Sequence, residues 1–175
     1  MTKLSRRALL GAAALLPLAV ACSPPASATG GNVTGGNGPT ERRFANSPFR
    51  TKTDAQWRAS LPPENYVVLR QQGTERPFTS PLLDEHRTGT FVCFGCGLPL
   101  FRSQWKFNSG TGWPSFFDVI HENIGTTSDT QLLEERTEYH CAQCLGHQGH
   151  VFPDGPRPTG LRYCNDGVAI RFVPA

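Results

Sequence analysis

Six cysteines divide into two kinds of chemistry. Four of them form two C-x-x-C pairs, Cys93/Cys96 and Cys141/Cys144. Each pair presents two thiolates across one tight turn, so two pairs can close a tetrahedral four-thiolate site of the kind that holds Zn²⁺. Gly95 and Gly97 supply backbone freedom to the first turn, and Gly146 follows the second pair. With these four assigned to metal, Cys164 near the C-terminus has no obvious partner, and an unpaired thiol is a candidate nucleophile. Arg162 stands two residues earlier, so on a β-strand both side chains share a face and the cation can lower the thiol pKa. His147 and His150 lie just upstream, with rings that titrate near neutral pH. The expected catalytic set is therefore Cys164 as nucleophile, His150 as general acid, His147 as second donor or relay, and Arg162 as the activating charge.

Three ordered blocks carry a resemblance. Gly110-Thr111-Gly112-Trp113-Pro114-Ser115-Phe116, His147-Gln148-Gly149-His150-Val151-Phe152 and Gly160-Leu161-Arg162-Tyr163-Cys164 resemble the signature segments of class B methionine-R-sulfoxide reductases. The two C-x-x-C pairs fall where zinc-bearing members carry theirs, and the resemblance runs from about Thr53 to Val173. It implies attack of the Cys164 thiolate on a sulfoxide sulfur, release of methionine, and a sulfenic acid on Cys164. Trp113, Phe116 and Asp166 become the substrate-binding positions, with Trp113 a flat apolar wall for the substrate methyl group. The implied substrate is the R epimer in oxidised proteins. The implied cofactor is one structural zinc, and the implied partner is a thioredoxin-like or other thiol reductant.

Two positions depart from the family pattern. Thr111 stands where many members carry a resolving cysteine, so an external thiol has to reduce the sulfenic acid directly. Asp166 stands where members usually carry asparagine, with Asn165 beside it. An ionised Asp166 would raise the thiol pKa and oppose Arg162.

Other readings of the same residues belong to other classes. Trp113 and Phe116 could be core aromatics, Arg162 a solvated charge, Cys164 an inert buried thiol, and Asp154 a turn residue before Gly155. A zinc-ribbon binding module would need the four thiolates but not Cys164, His150 and Trp113 together. A cysteine hydrolase or transferase would use Cys164 and His150, with Asp154 orienting the ring. A dithiol oxidoreductase would use one C-x-x-C and hold no metal.

The elements that must position these residues are short. Lys3, Arg6 and Arg7 followed by the apolar run Ala8 to Val20 read as a twin-arginine-like export leader over residues 1–21, too short to span a bilayer. Ala19-Val20-Ala21 fits a cleavage site, and Cys22 directly after it offers a lipid anchor. The expected location is the periplasm or the extracytoplasmic face of a membrane. The Pro/Gly/Ser/Thr/Asn-rich stretch 22–46 is expected to be a disordered linker, with the domain spanning 47–175. The formal charge of +3 is accounted for by the three leader cations, and no basic stripe supports nucleic-acid binding. A monomer is expected.

Within the domain, Thr53-Asp54-Ala55-Gln56 is a capping box, and Trp57 and Leu61 lie one turn apart. Pro62 or Pro63 opens a second helix that Gly73 should stop. Short strands are predicted at Thr90–Val92, Pro99–Phe101, Phe116–Ile120, Arg136–His140, His150–Phe152 and Val168–Val173. The predicted fold class is mainly β: a small antiparallel two-sheet domain, β-tent-like, with two short N-terminal helices and a four-cysteine zinc site.

Overall fold

Both predicted helices form at the start of the domain. The computed structural model describes residues 38–130 and 135–175, so the leader, Cys22 and most of the linker lie outside the described residues. Helix α2, Asp54–Ser60, opens on the predicted capping box: the Thr53 hydroxyl accepts from the Gln56 amide, and the Gln56 side chain accepts from the Thr53 amide. Helix α3, Pro63–Gln71, has proline in its first turn and ends at Gln72, which itself takes the left-handed conformation (φ 55°). Gly73 follows and returns its amide to the Val67 carbonyl at 3.1 Å, so the stop lies one residue before the predicted glycine.

A third helix precedes them. Helix α1, Pro39–Arg42, and the turns after it are folded, which corrects the expectation of disorder through 46. The reason is Glu41, whose buried carboxylate lies 3.2 Å from His140 Nε2 and fills the space that a side chain at Gly125 would need. Arg43 adds bonds to the Glu122 carbonyl and to Asn123 Oδ1. A composition with almost no apolar residues hid this docking, because polar contacts carry it.

The β elements build two antiparallel sheets. Strands β1 (Gly89–Cys93), β2 (Pro99–Arg102) and β9 (Ile170–Pro174) form the smaller sheet in the order β2-β1-β9. The larger has six strands: β3 (Lys106–Phe107), β4 (Ser115–Phe116), β5 (Ile124–Asp129), β6 (Arg136–Cys141), β7 (His147–Phe152) and β8 (Arg162–Asn165). Their order is β3-β4-β8-β7-β6-β5. The predicted Phe116–Ile120 strand contracts to two residues, since the Asp118 carboxylate caps its neighbour's amide and turns the chain. β5 escaped prediction because Gly125 and a Thr-Thr-Ser-Asp run lack apolar alternation.

The core between the sheets is aromatic. Phe101 stacks on Phe116 with centroids 4.1 Å apart, and Phe91, Tyr139 and Tyr163 pack edge-on or tilted around them. Phe116 is 0% exposed, which corrects its placement at the substrate: the outward-facing residues of the same block are available to a ligand, and Phe116 is not.

Candidate active site and metal centre

The two C-x-x-C turns are copies of one another. After Cys93 the chain bends so that the Gly97 amide returns to the Cys93 carbonyl (2.8 Å) and the Cys93 amide reaches the Leu98 carbonyl (2.8 Å). After Cys141 the same two bonds recur from Leu145 (2.9 Å) and to Gly146 (3.0 Å). The left-handed position of each turn is Gly97 (φ 79°) and Leu145 (φ 59°). The first follows the sequence argument. In the second a leucine accepts the strain that Gly146 was expected to relieve. Backbone carbonyls of the second turn are held by Arg50, at 2.6 Å to Ala142 and 2.8 Å to Gln143, and by Arg70, at 2.9 Å to Cys144.

All four Sγ atoms lie within 4.8 Å of one another, with Cys93–Cys144 at 3.6 Å and Cys96–Cys141 at 3.4 Å. A tetrahedron with Zn–S bonds of about 2.3 Å has edges of about 3.8 Å, so the cluster has the size of a four-thiolate zinc site. The Gln148 side-chain amide donates to Cys93 Sγ at 3.6 Å, the type of outer contact that orients a ligating thiolate. These residues hold structural Zn²⁺, which when bound ties the β1–β2 turn to the β6–β7 turn.

The second cluster is built by strand register. β7 and β8 pair His150 with Cys164 and Phe152 with Arg162, so all four project from one face. Gly149 is obligatory at this crossing: its φ is 150°, and any side chain would strike the Cys164 carbonyl. Beside the pair lies a cleft of about 140 Å³ whose walls include Trp113, His150, Phe152, Cys164 and Asp166. Trp113 is fixed by its indole N–H, which donates to the Glu75 carbonyl at 3.2 Å. Cys164, His150, Arg162, Trp113 and Asp166 thus come together, and His147 stands one layer deeper at 3% exposure.

Arg162 is shared. Its guanidinium makes a two-pronged bond to Asp154 (2.8 and 2.9 Å) and lies 4.3 Å from the Phe152 ring centroid. Asp154 therefore orients Arg162 and not His150, so the hydrolase arrangement expected through Asp154 is not assembled. Burial raises the Cys164 pKa above the ordinary thiol value; Arg162 and a hydrogen bond from Thr111 work against it, and Asp166 adds to it. The expectation of a net lowering by Arg162 is corrected: desolvation outweighs the cation. Burial also pulls His150 below the usual imidazole value, opposed by its bond to Asp129.

Asp166 has a defined place. Its Oδ1 accepts from the Glu75 amide at 2.9 Å, its Oδ2 lies 3.8 Å from His147 Nε2, and burial lifts its pKa to about 6. Asn165 is buried, accepting from the Tyr139 hydroxyl at 2.7 Å, so it does not stand in for the residue after it. Three groups escaped the sequence reading. Glu138 Oε1 bonds His147 Nδ1 (2.8 Å), and Asp129 Oδ2 bonds both His150 Nε2 (2.7 Å) and Arg136 (2.6 Å). The charged alternation Arg136-x-Glu138 in a predicted strand was the available signal.

The fold and cleft define a small β-sheet domain, stapled by metal, that sets a thiol beside an imidazole and an indole wall. The sequence profile of the SelR domain matches residues 61–174. The chain is 53% identical over 124 residues to the peptide methionine sulfoxide reductase MsrB of Thiobacillus denitrificans, covering 70% of this chain and 94% of that one. It is 55% identical over 124 residues to the protein of that name from Pseudomonas putida, covering 70% and 93%. The archaeal counterpart from Methanosarcina barkeri is 48% identical over 122 residues, covering 69% and 86%. The chain belongs to the SelR family, the class B methionine-R-sulfoxide reductases, and is a peptide methionine sulfoxide reductase.

Proposed function

We propose that reduction proceeds by attack of the Cys164 thiolate on the sulfoxide sulfur, with His150 protonating the departing oxygen and Trp113 seating the methyl group. The cross-strand pairing of His150 with Cys164 beside the Trp113 wall carries this reading. The two altered pKa values fit together. A thiol shifted up and an imidazole shifted down hold their single mobile proton on sulfur at rest. Passing it to His150 creates the thiolate and the acid in one step. Oxygen ends on Cys164 as a sulfenic acid, two electrons pass to the substrate, and methionine leaves. Arg162 stabilises the thiolate, Thr111 donates a hydrogen bond to it, and Asp166 with His147 borders the oxygen-binding end. His150→Ala should lower kcat about 100-fold or more, the usual scale for losing a general acid. An unchanged rate would assign the proton to His147 or to water.

Regeneration falls to an external thiol of the thioredoxin type. The other four cysteines among the described residues are all in the metal cluster, and Thr111, at the resolving position, hydrogen-bonds the nucleophile's sulfur. The thiol first condenses with the sulfenic acid, releasing water and forming a mixed disulfide. A second thiol then frees Cys164. Incubating the enzyme with excess R-sulfoxide peptide and no reductant should yield about one methionine per chain and a dimedone adduct on Cys164, read by mass spectrometry. A disulfide between Cys164 and a zinc ligand would overturn this scheme. The leader pattern at 1–21 supports export and repair of oxidised extracytoplasmic proteins, with Cys22 as the candidate tether. Recovery of the labelled chain only from the cytoplasm would end that part of the reading.

A further inference from the structure

We infer that Asp129 is a positioning residue for His150, and that Arg136 fixes Asp129 in turn. The inference rests on His150 as the proton donor and adds what holds that donor in place. Register supplies the geometry. β5 and β6 pair Asp129 with Arg136, and β6 and β7 pair Glu138 with His150, so the end of β5 meets the ring across β6. One oxygen, Asp129 Oδ2, receives both the His150 Nε2 bond (2.7 Å) and the Arg136 guanidinium (2.6 Å). The side chains of Asp129 and His150 are only 10% and 14% exposed, so water screens the pair weakly. With the proton on Nε2 committed to Asp129, the ring cannot spin, and its tautomer is set.

The electrostatic consequence has a definite sign. Among the described residues, the charged or titratable groups around the ring are Asp129 from β5, Arg136 and Glu138 from β6, His147 on β7 itself, Cys164 from β8 with Arg162 next along its face, and Asp166 in the wall of the same cleft. Burial, Arg136 and His147 favour the neutral ring, and Asp129 favours the charged one. Asp129 therefore keeps the acid form accessible in a pocket that otherwise expels it. Arg136 keeps that carboxylate aimed, at the cost of part of its effect.

The test is Asp129→Asn in the zinc-loaded enzyme, followed by ¹⁵N NMR of labelled histidine rings and by the pH profile of kcat/KM. The neutral wild-type ring should carry its proton on Nε2. In the variant the His150 titration should fall by about one pH unit, the low end for losing an adjacent opposite charge. The acid limb of kcat/KM, which follows protonation of the neutral His150 ring beside the protonated thiol, should move to lower pH by the same amount. On the plateau above that limb, kcat should drop about tenfold with KM little changed, because the thiol proton has to pass to a ring about one pH unit less basic. A variant that melts lower while its ring titration and pH limb stay put has lost only a structural contact, and this result overturns the inference. A ring titration that falls while the limb stays fixed upholds the clamp and removes His150 from the proton step.

Discussion

Cys164→Ser is expected to abolish methionine sulfoxide reduction while leaving zinc content and melting temperature at wild-type values. The thiol is half-buried in the cleft and takes no part in the metal cluster, so its loss removes no structural bond. Serine keeps the shape and a hydrogen-bond acceptor for Arg162 and Thr111. A hydroxyl, however, is neither ionised by these neighbours nor able to take up oxygen as a sulfenic acid. Turnover should fall to the background of free thiol in the assay, and dimedone should no longer label the chain. The result follows from sulfur chemistry and not from geometry, which separates it from His150→Ala, where a proton can still arrive from water at a reduced rate. Residual activity near wild type would remove Cys164 from the reaction. Loss of zinc in the same variant would mean that Cys164 supports the cluster.

The constellation was legible in the sequence because its parts are local. A C-x-x-C turn brings its two thiols together by itself, and Arg162 and Cys164 share a face because a strand alternates. What joins the parts was less legible. That His150 stands opposite Cys164 depends on a register fixed by Gly149, whose missing side chain lets β8 come close. Asp129 and Glu138 lay outside every motif, since each meets its histidine across strands, at separations that no local pattern reveals. Phe116 was misplaced for the opposite reason. It is inside a signature block, but alternation turns it into the aromatic stack between the sheets while Trp113 faces the cleft. The net pKa of Cys164 could not be read from Arg162 alone, because sequence shows the cation and not the depth of burial. The helix at Pro39–Arg42 was hidden by composition: a single buried carboxylate anchors a segment with no apolar face.

Loss of one metal ligand should have the second large effect, on stability before activity. Cys96 is the most accessible of the four thiols, and its Sγ lies 3.4 Å from that of Cys141, on the opposite turn. Cys96→Ser leaves three thiolates that attract an ion with an incomplete shell, and metal affinity should drop steeply. The consequence reaches beyond the site because of what the turns connect. One leads from β1 to β2 in the smaller sheet, and the other leads from β6 to β7 in the larger, where His147 and His150 sit. Without the ion, three or four thiols crowded within 4.8 Å have no charge to hold them there, and the two sheets lose their metal cross-link. Metal binding in such sites is folding free energy, and a loss of several kcal/mol lowers the melting temperature of a domain this size by about 10–20 °C. Elemental analysis should find one zinc per wild-type chain and well under one in the variant. Activity at low temperature should fall less than stability does, because Cys164 and its cleft lie outside the cluster. A variant that keeps full zinc and melts with the wild type would show that three thiolates suffice. A wild-type chain without zinc, and with Cys93 and Cys96 joined as a disulfide, would show that the pair does redox work.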